Sequence, residues 1–168
     1  MKSTSKLVSI NQLIEFGKCE ALNAQNSDDI KSVFGFGGCI KSNKDEPEVI
    51  ISITFREKVN IVGLMIETYG DETKPSDVQL FSNKTNIGFS DIGVVPSTET
   101  ITSFSVGKQY PLKLAKYRGI DTLTLYISNP NNGIIEINNI QIYGQGAENT
   151  DMSQMKNTNP WGPRPCKK

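Results

Sequence analysis

Glu48-Val49-Ile50-Ile51-Ser52-Ile53-Thr54-Phe55 is the stretch on which the fold turns. Its period is two. Val49, Ile51, Ile53 and Phe55 fall on one face, and Ile50, Ser52 and Thr54 on the other. A strand sends successive side chains to opposite faces, so this pattern puts one set in a core and leaves the other partly exposed. Toward the C-terminus, residues 60–68 read as a second strand, apolar on both faces through Ile61, Val62, Leu64, Met65 and Ile66, and therefore as a central, doubly covered one. A polar loop over 71–76, containing Pro75, leads to a third strand over 77–82 with Val78 and Leu80 on one side. Residues 83–98 read as an irregular connection pinned by Phe89 and Ile92. Strands are expected over 100–106 and 112–117. Residues 122–128 alternate cleanly, with Leu123, Leu125 and Ile127 inward and Thr122, Thr124 and Tyr126 outward. Asn129-Pro130-Asn131-Asn132-Gly133 is a strong turn signal, because Asn-Gly accepts the positive φ that tight hairpins require. Residues 134–137 and 139–143 supply the last strand or pair of strands.

On the N-terminal side the pattern changes. Leu7, Ile10, Leu13 and Ile14 recur at helical spacing. Ser9 and Gln12 fit a capping box, and Gly17 fits a helix end. Phe34-Gly35-Phe36-Gly37-Gly38 has no phosphate-loop spacing and reads as an irregular loop that tucks Phe34 or Phe36 into the core. About eight short strands and one short N-terminal helix make an all-β, jelly-roll-like β-sandwich. After Gly146 the chain becomes polar and rich in Asn, Pro and Lys, with Met152, Met155 and Trp161 as isolated apolar residues. Too little can be buried there to offset backbone ordering. The expected organisation is a lead over 1–6, a sandwich over 7–146 and a flexible tail over 147–168.

Composition narrows function. With 168 residues the chain is one domain with a little left over. Eighteen basic and eighteen acidic residues give a formal net charge of zero, which argues against a general nucleic-acid binder and against a polybasic membrane anchor. The lead is polar and enters no long apolar run, so it has no signal-peptide character, and no stretch approaches the ~20 apolar residues of a membrane span. The cysteines, Cys19, Cys39 and Cys166, are odd in number and form no CxxC pair. That suits a reducing compartment better than a disulfide scaffold. Without histidine, no Ser-His-Asp or Cys-His machinery can be assembled and the common catalytic zinc sites lose their usual ligand. The carboxylate pairs Asp28-Asp29, Asp45-Glu46 and Asp71-Glu72 read as solvated loop charges rather than acid–base machinery. No EF-hand spacing exists for calcium. Asn83-Lys84-Thr85 matches a glycosylation sequon but reads as a turn. Cys19, beside Lys18, is either a reactive thiol or a small buried hydrophobe, and the second reading is preferred. No catalytic residue, metal site or cofactor is expected.

The order of several segments resembles the PITH domain, the proteasome-interacting thioredoxin domain. Leu13-Ile14-Glu15-Phe16 followed by Cys19-Glu20-Ala21-Leu22-Asn23 is similar to its opening. Ser42-Asn43-Lys44-Asp45-Glu46 with the strand from Val49 to Phe55 resembles its acidic turn and first long strand. Lys74-Pro75-Ser76-Asp77-Val78-Gln79-Leu80-Phe81-Ser82-Asn83 resembles its proline-led strand, and Phe89 stands where the family tends to place a phenylalanine. Leu114-Ala115-Lys116-Tyr117, Leu123-Thr124-Leu125-Tyr126-Ile127 and Ile140-Gln141-Ile142-Tyr143-Gly144 are similar to its last strands. The resemblance implies a galactose-binding-like jelly roll and association with subunits of the 26S proteasome regulatory particle, in the cytoplasm and also the nucleus. Family members of the thioredoxin-like kind carry a Cys-x-x-Cys domain ahead of this one, and nothing of that kind stands before Leu7 here; the chain is expected to be either a stand-alone member, slightly preferred for its Met1 and short polar lead, or a segment of a longer protein, and to be a monomer. The 34–38 stretch and the segment after Met155 match no family pattern. Trp161, with Met152 and Met155, is the candidate partner-binding group, because a lone tryptophan in a polar tail suits an interface anchor; the alternative reading is that Trp161 folds back onto the sandwich or is simply exposed. The alternative is a carbohydrate-binding jelly roll using Tyr69, Tyr110 or Tyr117, of which Tyr117 is expected to pack instead.

Overall fold

A computed structural model describes residues 8–25, 27–43, 46–68, 77–102, 104–129 and 134–147. Its strands are β1 (Glu20–Leu22), β2 (Ile40–Lys41), β3 (Glu48–Glu67), β4 (Asp77–Ser82), β5 (Glu99–Ile101), β6 (Tyr110–Pro111), β7 (Ile120–Ser128), β8 (Glu136–Ile137) and β9 (Asn139–Gly146). Strands β1-β3-β7-β4-β5 lie side by side, antiparallel throughout, and β6 and β9 also pair with β3. Strands β2 and β8 form a separate small ladder. The architecture is the all-β jelly-roll sandwich that the sequence pattern implies.

The two strands expected over 48–55 and 60–68 are one 20-residue strand. Its first half pairs with β1 and β7, and its second half with β6 and β9. Register shifts between Thr54 and Val59, and again between Ile61 and Gly63, bend it. Val59 is the crossover, opposite Ile120 of β7 and Gly146 of β9. Bulges increase local twist, which lets one strand serve two layers of a sandwich.

The expected inward set, Val49, Ile51, Ile53 and Phe55, is buried in the main core with Val78, Leu80, Leu123, Leu125 and Ile127. Each fully buried aliphatic side chain contributes ~1.5–3 kcal/mol. The outward Ile50 is buried too. It packs with Phe81 and Ile87 in a second cluster, capped by Phe89, Ile92, Val95 and Tyr126. The 83–98 connection is thus pinned by Phe89 and Ile92, as its pattern implies.

Three expectations change. The N-terminal helix is replaced by two 3-10 turns, Asn11–Leu13 and Phe16–Lys18. The reason is competition from sheet edges: Ile10 N–H donates to the Ile142 carbonyl at 2.7 Å, and Glu15 N–H to that of Thr54 at 2.7 Å. Ile10 and Ile14 are still buried, so the i, i+4 spacing served burial without an α-helix. Ser9 caps no α-helix; its hydroxyl accepts Asn11 N–H at 3.3 Å, at the start of the first 3-10 turn, and donates to Gln141 Oε1 at 2.8 Å. The strand expected over 100–106 shrinks to β5, and Phe104 turns inward to stack on Tyr110. The strand expected over 112–117 becomes β6 followed by a 3-10 turn, Leu114–Lys116, which drives Tyr117 into the core. Of the Asn129–Gly133 turn only Asn129 lies within the described residues.

Candidate interaction surface

Where the first strands meet the edge of the sandwich, one buried side chain organises three segments. Asn11 Nδ2 donates to the carbonyls of Phe34 (3.2 Å) and Ile140 (2.9 Å), and Asn11 Oδ1 accepts from Ile142 N–H (3.0 Å). It ties the N-terminal turn, the 34–38 loop and β9 together, with its amide buried. A buried amide with its donors and acceptor satisfied fixes a geometry, because any displacement leaves polar groups unpaired.

On this base sits the glycine-rich loop. Phe36 N–H and Gly38 N–H both donate to the Ser32 carbonyl, at 3.2 and 3.1 Å. Gly35 and Gly37 have φ of +101° and +84°, the left-handed half of the map that residues with a Cβ rarely enter. At Gly38 a Cβ would collide with the Ser32 side chain. The three glycines therefore close a compact loop instead of loosening one. Phe34 is tucked into the core, as one branch of the expectation had it, whereas Phe36 points out, 66% exposed. Phe16 bridges them: its ring centroid is 5.8 Å from that of Phe34 (tilted 44°) and 5.8 Å from that of Phe36 (edge-on, 77°). The rings form a file from core to solvent. Val8, 61% exposed, precedes Ser9, whose hydroxyl bonds Gln141, and a Cβ on Gly35 would lie 3.4 Å from Gln141 Nε2. Val8 and Phe36 therefore adjoin residues that meet at the same glutamine.

A second feature is a shallow polar trough of about 160 Å³ on the outer face of β1, β3 and β7, lined by Lys18, Glu20, Ser52, Thr54, Thr85, Asn86 and Thr122. One wall is the turn after β4, in which Asn83 and Asn86 have φ of +57° and +60°. Asn83 Nδ2 donates to the Gly119 carbonyl (3.1 Å) and its Oδ1 accepts Asp121 N–H (2.7 Å). The sequon asparagine is thus a turn pin, in line with the sequence reading.

Other candidate residues fall out differently. Cys19 is buried, its Sγ 3.5 Å from the Glu15 carbonyl, and burial pushes its thiol up, away from the nucleophilic thiolate. Tyr117 packs, as expected. It is wholly buried with its hydroxyl donating to Glu99 Oε1 (2.9 Å), and burial followed by that bond raises its pKa. Tyr110 is half-buried and stacks on Phe104, their ring centroids 5.9 Å apart. Tyr69, Asp45, Asp71, Glu72, Met152, Met155 and Trp161, and the side chains of Asp28 and Asp29, lie outside the described residues. Among the described residues no three of His, Cys, Asp and Glu cluster as metal ligands, and no helix is long and apolar enough to cross a membrane.

The model of the PITH domain matches residues 2–160. The chain belongs to the PITH domain family. Among its relatives, PITH domain-containing protein 1 of Danio rerio is 27% identical over 128 residues, 68% of this chain and 59% of that protein. PITH domain-containing protein CG6153 of Drosophila melanogaster is 26% identical over 147 residues, 82% of this chain and 68% of that protein. Thioredoxin-like protein 1 of Schizosaccharomyces pombe is 27% identical over 129 residues, 71% of this chain and 44% of that protein. The chain thus spans little more than half the zebrafish protein's length. Among solved structures, the family 32 CBM of Clostridium perfringens NanJ in complex with galactose superposes with a TM-score of 0.60 at 8% identity, covering 82% of this chain and 98% of that one. A Bacteroides fragilis F5/8 type C domain gives 0.53 at 10% identity, covering 77% and 91%. At such identities the likeness is one of fold, a galactose-binding-like jelly roll. PITH membership supports a protein-interaction module in general terms, and several of the relatives are named as domain-containing proteins rather than as enzymes.

Proposed function

We propose that this PITH domain is a non-catalytic module that docks onto the regulatory particle of the 26S proteasome, acting as a monomer in the cytoplasm and nucleus. The observation that carries the reading is the family match over residues 2–160, nearly the whole chain. The surface is compatible with it. The core is filled by aliphatic side chains, the buried polar residues include an amide spent on backbone partners, and the residues left over for recognition lie on loops and edges. Recognition by pre-organised loops on a rigid sandwich is how such scaffolds bind without chemistry of their own. The test is co-sedimentation of the full chain with purified 26S proteasome, alongside a chain ending at residue 146. Retention of the full chain with the regulatory particle supports the reading, and weaker retention of the shortened chain assigns part of it to the expected group of Met152, Met155 and Trp161. Full-length chain that stays in the supernatant at micromolar particle contradicts it.

A carbohydrate-binding reading draws on the galactose complex of the structural relative and on the hydroxyl-lined trough. Among the described residues none of the trough's lining is aromatic to stack a sugar, which makes this the weaker reading. A glycan array separates the two.

A further inference from the structure

The basic residues of this net-neutral chain are unevenly placed. Residues 108–120 hold Lys108, Lys113, Lys116 and Arg118 and no acidic residue. The fold brings the last three beside Lys84, at the end of the sandwich where β3 changes partners. Ile61 N–H donates to the Tyr117 carbonyl at 3.0 Å, and Gly119 is clamped from two sides by asparagines. Its N–H donates to Oδ1 of the buried Asn60 at 3.0 Å, and its carbonyl accepts Asn83 Nδ2 at 3.1 Å. Asn83 directly precedes Lys84, so that turn is tied to the same glycine. The Leu114–Lys116 turn is closed by Lys116 N–H on the Lys113 carbonyl at 2.9 Å. With Tyr117 wholly buried, Lys116 and Arg118 on either side of it stand in solvent, as does Lys113, and Lys84 is half-buried. Neighbouring charges cancel in pairs: Lys58 meets Asp121 at 2.8 Å and Arg56 meets Glu15 at 3.7 Å, which leaves Glu57 as an exposed acid nearby. Among the described residues Lys84, Lys113, Lys116 and Arg118 make no ion pair. The far end of the same ladder is acidic, with Ser128 lying opposite both Glu48 of β3 and Asp77 of β4. Crowded like charges repel one another and add nothing to the fold. Held out on a clamped backbone, they lose little entropy when an anionic partner arrives.

We propose that this basic end binds a short acidic peptide segment, a run of Asp and Glu side chains carried by a second protein. The surface is distinct from the rim at the 34–38 loop. Asn11 joins that loop to Ile140 and Ile142 near the start of β9, whereas Gly146 at the end of β9 lies opposite Val59, at the crossover. Charge complementarity names the partner. Three of the four cations are lysines, flexible point charges that can follow a run of carboxylates without a fixed bidentate geometry. A nucleic acid fits less well. Its charge would run past the four cations toward the acidic end of the ladder, the chain has no basic surplus, and the tyrosine within the patch is buried and gives no platform for base stacking. A membrane surface needs apolar side chains to insert beside the cations. Here the residues between them are half-buried Leu114, the small Ala115 and buried Tyr117.

The experiment is a fluorescence-anisotropy titration of labelled oligoglutamate with the full chain, against oligoglutamine of equal length, at low and at physiological salt. Wild type is compared with Lys116→Glu, with Lys113→Gln combined with Lys116→Gln, and with Lys31→Glu, an exposed lysine away from the patch whose reversal changes net charge as Lys116→Glu does. Thermal unfolding of each is followed in parallel. The expected result is saturable binding of oligoglutamate and none of oligoglutamine, weaker but still measurable at physiological salt. Lys116→Glu and the double glutamine variant should each weaken it about five-fold or more, with Lys31→Glu within about two-fold of wild type and unfolding midpoints unchanged. Absence of saturable binding at low salt overturns the proposal. Equal losses from Lys116→Glu and Lys31→Glu assign the effect to net charge and overturn the site. Tighter binding of a duplex DNA oligonucleotide or of phosphatidylserine vesicles than of oligoglutamate reassigns the patch and overturns it too. Should both patch variants unfold the chain, these lysines are structural and the inference falls. The titration contains no regulatory particle, so each of these failures leaves the docking reading standing.

Discussion

Asn11 shows at the scale of one residue how little of a site a periodicity reading can see. Its neighbours Ile10 and Ile14 announce burial through their spacing, yet the amide between them makes the three hydrogen bonds that join the N-terminal turn, the glycine loop and β9. A polar residue between apolar ones reads as solvent-facing unless its long-range partners are known. Replacing Asn11 by Ala is expected to destabilise the fold by about 2–3 kcal/mol, because buried backbone groups of Phe34, Ile140 and Ile142 lose their partner; denaturant unfolding of the variant measures it. Phe36 was likewise half legible. The alternation of glycine and phenylalanine marks an irregular loop, but which ring goes inside depends on φ values that no composition reveals. The tyrosines give a prediction in pH. Burial, then the hydrogen bond to Glu48 (2.7 Å), pushes the Tyr126 phenol up from 10 to about 12. Tyr117 and Tyr110 move in the same direction, each by burial first and then by Glu99. Between the unfolded and folded values the unfolded chain has lost the proton and the folded one keeps it, so stability is full below pH 10 and falls as pH rises toward 12. Thermal unfolding followed across that range should show the midpoint dropping, and Tyr126→Phe, which cannot ionise, should drop less steeply.

Elements with short-range logic were readable, and those fixed by distant partners were not. β4 and the core of β7 stand where alternation puts them, with Leu123, Leu125 and Ile127 inward. The charged run Arg56-Glu57-Lys58 interrupts the apolar pattern of β3, which is why the sequence alone predicts two strands there. In the fold that run is the exposed bulge at which the strand changes partners. Arg56 meets Glu15 at 3.7 Å and Lys58 meets Asp121 at 2.8 Å there, both in solvent, where such pairs contribute little. Opposite the second bulge, Gly144 has no room for a Cβ, which would strike the Asn60 carbonyl. Gly144→Ala is therefore expected to cost about 1–3 kcal/mol through a shifted strand. Gly93→Ala, left-handed at φ +86° but with open space around it, should cost about 1 kcal/mol from backbone strain alone. Chemical denaturation of the two side by side separates crowding from strain.

For the whole molecule the claim is a division of labour. The main core is continuous between the inner faces of the strands, with a smaller cluster under the 83–98 connection. Under the docking reading, the rim is the place proposed for recognition, where the 34–38 loop and the N-terminal segment are locked onto β9. The fold class and the family were both legible in the sequence, since alternation, turn chemistry and segment order are local properties. The candidate surface was not, because it is assembled from residues 8–16, 34–38 and 141, brought together by the pairing of the N-terminal segment with the last strand. Hydrogen exchange of the chain, free and saturated with purified 26S regulatory particle, tests this division most directly. The account predicts new protection concentrated in residues 8–16 and 34–38, with the core strands β3 and β7 exchanging as slowly as before. Protection absent from that rim, or none anywhere in the chain at saturating particle, would contradict it.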